Sequence, residues 1–178
     1  MELSKLTIEE YSSLLEAKKS VPGGGSALSL VLELALDLVL MTCNFTIDKI
    51  GYESVQEEII EIKNKLLVLK QKAHSLIDED GKAYQQVMDA FRSKDKLKIS
   101  ESSLYACEVP YQLFSLAKMC ESLGLRVTEI GNKNLVSDAY IGIDLCKSIY
   151  PGCIANIKCN IDNIIDEEKK IKYLEIIK

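Results

Sequence analysis

One histidine, His74, is all that the 178-residue chain carries, and none of its six cysteines stands three residues from another. There is therefore no Cys-x-x-Cys pair and no Cys/His zinc cluster, and a metal is not expected. A nucleophile elbow, a Cys–His couple and an HExxH helix are missing as well. Prolines number three and glycines nine, with no low-complexity stretch, repeat or linker to divide the chain. Residues 1–178 read as one domain, large enough to bury roughly 70% of the surface of its unfolded chain without a disulfide or metal staple. Runs of alternating polarity are absent, which excludes a strand-based fold. An excess of basic charge is absent too: 22 Lys and Arg stand against 27 Asp and Glu, net −5. That excludes a broad nucleic-acid surface, although a local patch could still hold a small anion.

The cysteines (Cys43, Cys107, Cys120, Cys146, Cys153 and Cys159) read as reduced, mostly buried side chains of a cytoplasmic protein. The polar N-terminus, MELSKLTIEEY, has no signal-peptide core. Ala27 to Ile47 is strongly apolar but contains Glu33 and Asp37. A carboxylate at the centre of a bilayer costs about 2.5–3.5 kcal/mol, so a buried bundle helix is expected and a membrane span is not.

Helical periodicity dominates the rest. Thr7 and Glu10 form a T-x-x-E capping box that opens a helix over Ile8 to Ala17. The turn VPGGGS, Val21 to Ser26, feeds the apolar helix, which runs to about Asp48. From Glu53 to about Phe91 a long stripe follows: Val55, Ile59, Ile62, Leu66, Leu69, Ala73, Leu76, Ile77, Tyr84, Val87 and Phe91. Ser100 to about Cys120 predicts a helix kinked at Pro110, followed by a short helical piece ending near Gly131. A last long helix spans Leu135 to Ile161 with a kink at Pro151, and Asp166 caps a short terminal helix. The long stripe and the apolar second helix exceed what one small chain can cover. A homodimer is expected, with an interface of about 2,000 Å² or more.

Asp80 stands inside the apolar stripe, while Asp78 and Glu79 are expected on the polar face. A carboxylate facing a core loses hydration and gains proton affinity, as a general acid/base requires. The alternative is a structural carboxylate that accepts hydrogen bonds. The glycine turn opens a helix, whose free N–H groups favour anions. Lacking a preceding strand and a following Lys, it could equally be a tight turn. Ser26, Ser29, Glu33, Asp37 and Asn44 form a polar stripe that either lines a site or faces solvent. In GNKNLVSDA, Asp138 points toward packing. Asn156 and Asn160 share a face, and could bind each other or a heterocycle rich in donors and acceptors. His74 reads as a solvated helix histidine.

Taken in order, PGGGS, MTCNFT, LIDEDGKAY with VMDA, the Pro110 helix, GNKNLVSDA and NIKCNID with Asp166 resemble the formiminotransferase-cyclodeaminase and methenyltetrahydrofolate cyclohydrolase family across nearly the whole chain. The resemblance implies an all-α bundle of long helices that forms homodimers. It implies Asp80, the second acid of the D-x-D, as proton donor. It also implies a tetrahydrofolate derivative as substrate, with no permanently bound cofactor. Substrate-binding candidates are Pro22, Gly23, Gly24, Gly25, Ser26, Tyr84, Asn132, Asn134, Asp138, Asn156 and Asn160. Lys94, with Arg92, Lys96 and Lys98, is a candidate for the anionic glutamate tail. The resemblance covers two reactions, and a chain without a formiminotransferase domain favours the cyclohydrolase over the cyclodeaminase. A non-catalytic folate-binding or structural helical dimer is the rival of a different class.

Overall fold

Thr7 caps the first helix as its sequence dictates. Its hydroxyl accepts the Glu10 N–H while Glu10 reaches back to the Thr7 N–H, and helix α1 covers Ile8–Glu16. The computed structural model of the chain describes residues 2–177. Four long helices follow: α2 (Gly24–Asn44), α3 (Gln56–Ser93), α4 (Lys96–Ile130) and α5 (Val136–Ile161), and a short α6 (Glu167–Ile177) closes the chain. Single 3₁₀ turns at Leu3–Lys5, Glu53–Val55 and Lys133–Leu135 punctuate them, and no strand occurs among the described residues.

Helices α2 to α5 pack as one bundle in which α4 lies against α5, and α2 against both α3 and α5. The core runs along its axis: Leu32, Leu36 and Val39 of α2, Ile59 and Leu66 of α3, Leu113 and Cys120 of α4, Cys146 and Ile149 of α5. Burying each leucine or isoleucine contributes roughly 1.5–3 kcal/mol. Helix α2 is long and apolar enough to cross a membrane, yet one face is this core. Its two carboxylates reach α3, Glu33 to His74 (3.0 Å) and Asp37 to Lys70 (2.6 Å). The serines of the same polar stripe, Ser26 and Ser29, are fully buried. The stripe therefore divides among buried hydroxyls, cross-helix pairs and an exposed Asn44 at the end of α2.

The expectation of two pieces between Ser100 and Gly131 is corrected. A single 35-residue helix, α4, runs through Pro110. It begins before Ser100 because Asp95 caps it, accepting the Leu97 (2.9 Å) and Lys98 (3.3 Å) amides. Pro110 is itself buried in the bundle, so packing on both sides outweighs one missing hydrogen bond. The other proline helix, α5, likewise continues past Pro151.

Candidate active site

The glycine turn delivers three things to one place. Gly23 is extended and N-caps α2, so the first amides of that helix have no intrahelical partner. One of them, the Ser26 N–H, donates to Asp80 Oδ2 at 3.0 Å. Gly25 lets the carboxylate lie against the turn: a Cβ there would stand 2.0 Å from Asp80 Oδ1. Next to Asp80 on α3, Gly81 does the same for Val21, whose side chain occupies the space of the missing Cβ.

Burial raises the proton affinity of the Asp80 carboxyl, and the Ser26 N–H partly opposes it. Asp80 opens onto a cleft of about 370 Å³, within the range of small-molecule sites. Gly23, Gly24 and Gly25 form one wall, and Ala83, Tyr84 and Val87 continue the Asp80 side. Asn156, Cys159 and Asn160 of α5 face them, with Ala106 of α4 below. Asp80 is the one charged side chain in this lining. Asn160 donates to the Asn156 carbonyl at 3.1 Å, which leaves its side-chain oxygen as an acceptor. The cleft thus offers a carboxylate of raised proton affinity, two amide side chains, a phenol and a helix N-terminus. A larger, shallower groove of about 680 Å³ between α4 and α6 is lined by four glutamates and two lysines, and Glu108 there is held by Lys172 and Tyr173.

Several expected site residues lie elsewhere. Pro22 is buried behind the turn and Ser26 turns its hydroxyl inward, so they shape the cleft without lining it. Lys94 adopts a left-handed conformation (φ 59°) just past the end of α3, ten residues beyond Tyr84, or about 15 Å along the helix. Asn132 is a latch: its N–H binds Thr46 Oγ1, its amide nitrogen binds the Phe45 carbonyl, and its side-chain oxygen receives Lys49 and the Asn134 amide. Asp138 lies in the first turn of α5, where its charge complements the helix dipole. It is eighteen residues, or roughly 27 Å, from Asn156 on the same helix. Asn132, Asn134 and Asp138 therefore belong to the opposite end of the bundle from Asp80.

Asp78 also departs from expectation. It does not simply face water, but accepts the Leu3 N–H (2.5 Å) and the Ser4 hydroxyl (2.6 Å), tying the N-terminal turn to α3. Glu79 accepts from Tyr105 and Lys82. Cys159 escaped the sequence reading as a residue of the cleft. Cys159 could have been found by its spacing, since it shares a face with Asn156 and Asn160. Among the described residues no three His, Cys, Asp or Glu side chains converge as a metal site requires.

The sequence profile described as formiminotransferase-cyclodeaminase matches residues 7–178. A methenyltetrahydrofolate cyclohydrolase of Methylorubrum extorquens is 27% identical over 181 residues, covering 95% of this chain and 87% of that protein. The crystal structure of formiminotetrahydrofolate cyclodeaminase from Thermotoga maritima is similar with a TM-score of 0.93 at 30% identity, over 99% of this chain and 88% of that one.

Proposed function

The chain belongs to the formiminotransferase-cyclodeaminase family, and from that premise we propose that it is a one-carbon folate enzyme that hydrolyses 5,10-methenyltetrahydrofolate to 10-formyltetrahydrofolate. The observation that carries the reading is Asp80, the one charged side chain lining its cleft. In the substrate the one-carbon unit is a cationic amidinium bridging N5 and N10. A lone carboxylate favours that cation electrostatically. Asp80 takes one proton from water as the oxygen adds to the amidinium carbon. The tetrahedral adduct then breaks its bond to N5, and Asp80 returns its proton to that nitrogen. The remaining hydroxyl proton leaves to solvent as the formyl carbonyl forms. Raised proton affinity suits a group that must both take and give a proton near neutrality.

Asn156 and Asn160 supply donors and acceptors for the pterin ring, and Tyr84, 40% exposed at the cleft, gives it a flat surface. The resemblance to a cyclodeaminase supports a second reading, in which the same carboxyl protonates departing ammonia during ring closure of the formimino substrate. Purified protein is to be incubated with methenyltetrahydrofolate and its near-UV absorbance followed. Loss above the spontaneous rate supports the hydrolase. Ammonia release from formiminotetrahydrofolate without that loss supports the cyclodeaminase, and neither activity defeats both.

The protein acts, in this reading, as a cytoplasmic homodimer. Leu34, Leu38, Met41 and Phe45 recur on one outer stripe of α2. Leu34 and Phe45 are 52% and 60% exposed, and Ile141 of the neighbouring α5 is 53% exposed. A second copy would cover this stripe. Six free thiols suit a reducing compartment.

A further inference from the structure

Of the nine residues of α1 only Tyr11 is buried. Its hydroxyl lies 2.9 Å from the Ser26 hydroxyl, and Ser26 is wholly enclosed. Ser26 therefore faces two ways, with its side chain toward Tyr11 and its backbone N–H toward Asp80 Oδ2. The segment that carries Tyr11 is anchored at its other end on the same stretch of α3, where Asp78 accepts from Leu3 and Ser4. Between the two anchors, Tyr11 packs with Leu3 and with Ile77, three residues before Asp80. The N-terminal segment thus closes a loop around the glycine turn and the Asp80 segment.

We propose that Tyr11 is a positioning residue of the Asp80 site: by holding the Ser26 hydroxyl it fixes the turn, and with it the N–H that the Asp80 carboxylate accepts. The consequence for turnover rests on the reading of Asp80 as the reacting group, whereas the geometry does not. That N–H is the one hydrogen bond to Asp80 among the described residues. The other groups around the carboxylate are uncharged: Tyr84 on its own helix, Asn156, Cys159 and Asn160 on α5, Ala106 on α4. Asp78 and Glu79 are engaged elsewhere, with Leu3 and Ser4, and with Tyr105 and Lys82. A hydrogen bond to the ionised form favours ionisation, and loosening it favours the proton.

Tyr11→Phe keeps the packed ring and removes only the hydroxyl. The titration of the Asp80 carboxyl, followed by ¹³C NMR in the unliganded protein, is expected to move to higher pH. The Ser26 amide should exchange with solvent roughly 3- to 10-fold faster, the range one hydrogen bond spans. The acid limb of the kcat/KM profile should move in the same direction. Because Tyr11→Phe strands the buried Ser26 hydroxyl, the double variant Tyr11→Phe/Ser26→Ala, which strands neither group, carries the same test if the single one does not fold. An unchanged Asp80 titration together with unchanged Ser26 exchange, in either folded variant, overturns the proposal. Both readouts are made without turnover. A fully active Asp80→Asn would thus remove the catalytic assignment of Asp80 and leave the positioning role to be judged on its own.

Discussion

Asp80 occupies the space that a side chain at Gly25 would need: a Cβ on that glycine would meet Asp80 Oδ1 at 2.0 Å and the carboxyl carbon at 2.6 Å. The pair explains why the turn is glycine where the carboxylate seats. Gly25→Ala is expected to push the carboxylate off the turn and break its bond to the Ser26 amide. A displacement of about 1 Å costs roughly 10²-fold in rate. Steady-state turnover of the variant, beside a circular dichroism spectrum that shows it folded, checks this. Gly24→Ala, where a Cβ would meet nothing, should leave the fold and the Asp80–Ser26 bond intact.

Two carboxylates two residues apart, Asp78 and Asp80, should give opposite pH signatures. Burial raises Asp80, and the unfolded chain ionises it at about 3.9. Between the two values the folded state holds the extra proton, so stability falls as pH rises through that window, and the cost is complete above it. Asp80→Asn removes the cost. It should melt above wild type at pH 7, with the gap closing as the solution is brought below about pH 4. Burial pushes Asp78 upward as well, but the Ser4 hydroxyl and the Leu3 and Ser4 amides outweigh it and hold that carboxyl below its usual range. Its contribution is present above the unfolded value and lost as pH falls through the folded one. Asp78→Asn should therefore melt below wild type at pH 7, by the equivalent of roughly 1 kcal/mol, with the deficit shrinking in acid. Thermal melts across pH settle both signs.

The thiols divide sharply. Burial pushes Cys43 up to about 11 and Cys107 and Cys153 to about 12. Cys120 is raised through its hydrogen bond to Cys146 and by burial. Cys159 alone is exposed, on the cleft. A disulfide reagent is expected to titrate one thiol per native chain and all six after denaturation. A bound folate should slow the native reaction. Several fast native thiols would contradict the packing described here.

Light scattering should give twice the 19.9 kDa chain mass. Leu34→Glu, at an exposed position, should halve it without unfolding the protein. A monodisperse wild-type monomer at micromolar concentration rules out the dimer.

The periodicity of α3 located Asp80, because a carboxylate on an apolar stripe is visible in one dimension. It could not say what covers the stripe. Leu66 and Leu76 meet the core, whereas in the last turns the packed positions are Ala83 and Ala90, and Tyr84 and Val87 turn to the cleft and Phe91 to solvent. Motif order alone does not say which residues share a cleft. GNKN precedes the helix that bears Asn156, but a helix rises about 1.5 Å per residue, so the two ends of α5 serve different parts of the molecule. Lys94, just past the end of α3, lies outside the cleft lining as well. Tyr11 carried no signal, since its role depends on α1 meeting the turn ahead of α2, a contact that no local pattern encodes.

The most direct measurement is the single-turnover decay of methenyltetrahydrofolate absorbance in wild type, Asp80→Asn and the exposed control Asp89→Asn. The amide at position 80 keeps the size and polarity of the side chain but cannot carry a proton. Asp80→Asn should be slower by roughly 10²–10⁴-fold, the usual worth of a general acid/base, while Asp89→Asn matches wild type. An Asp80→Asn variant that turns over at the wild-type rate would contradict the account and move the chemistry away from this cleft.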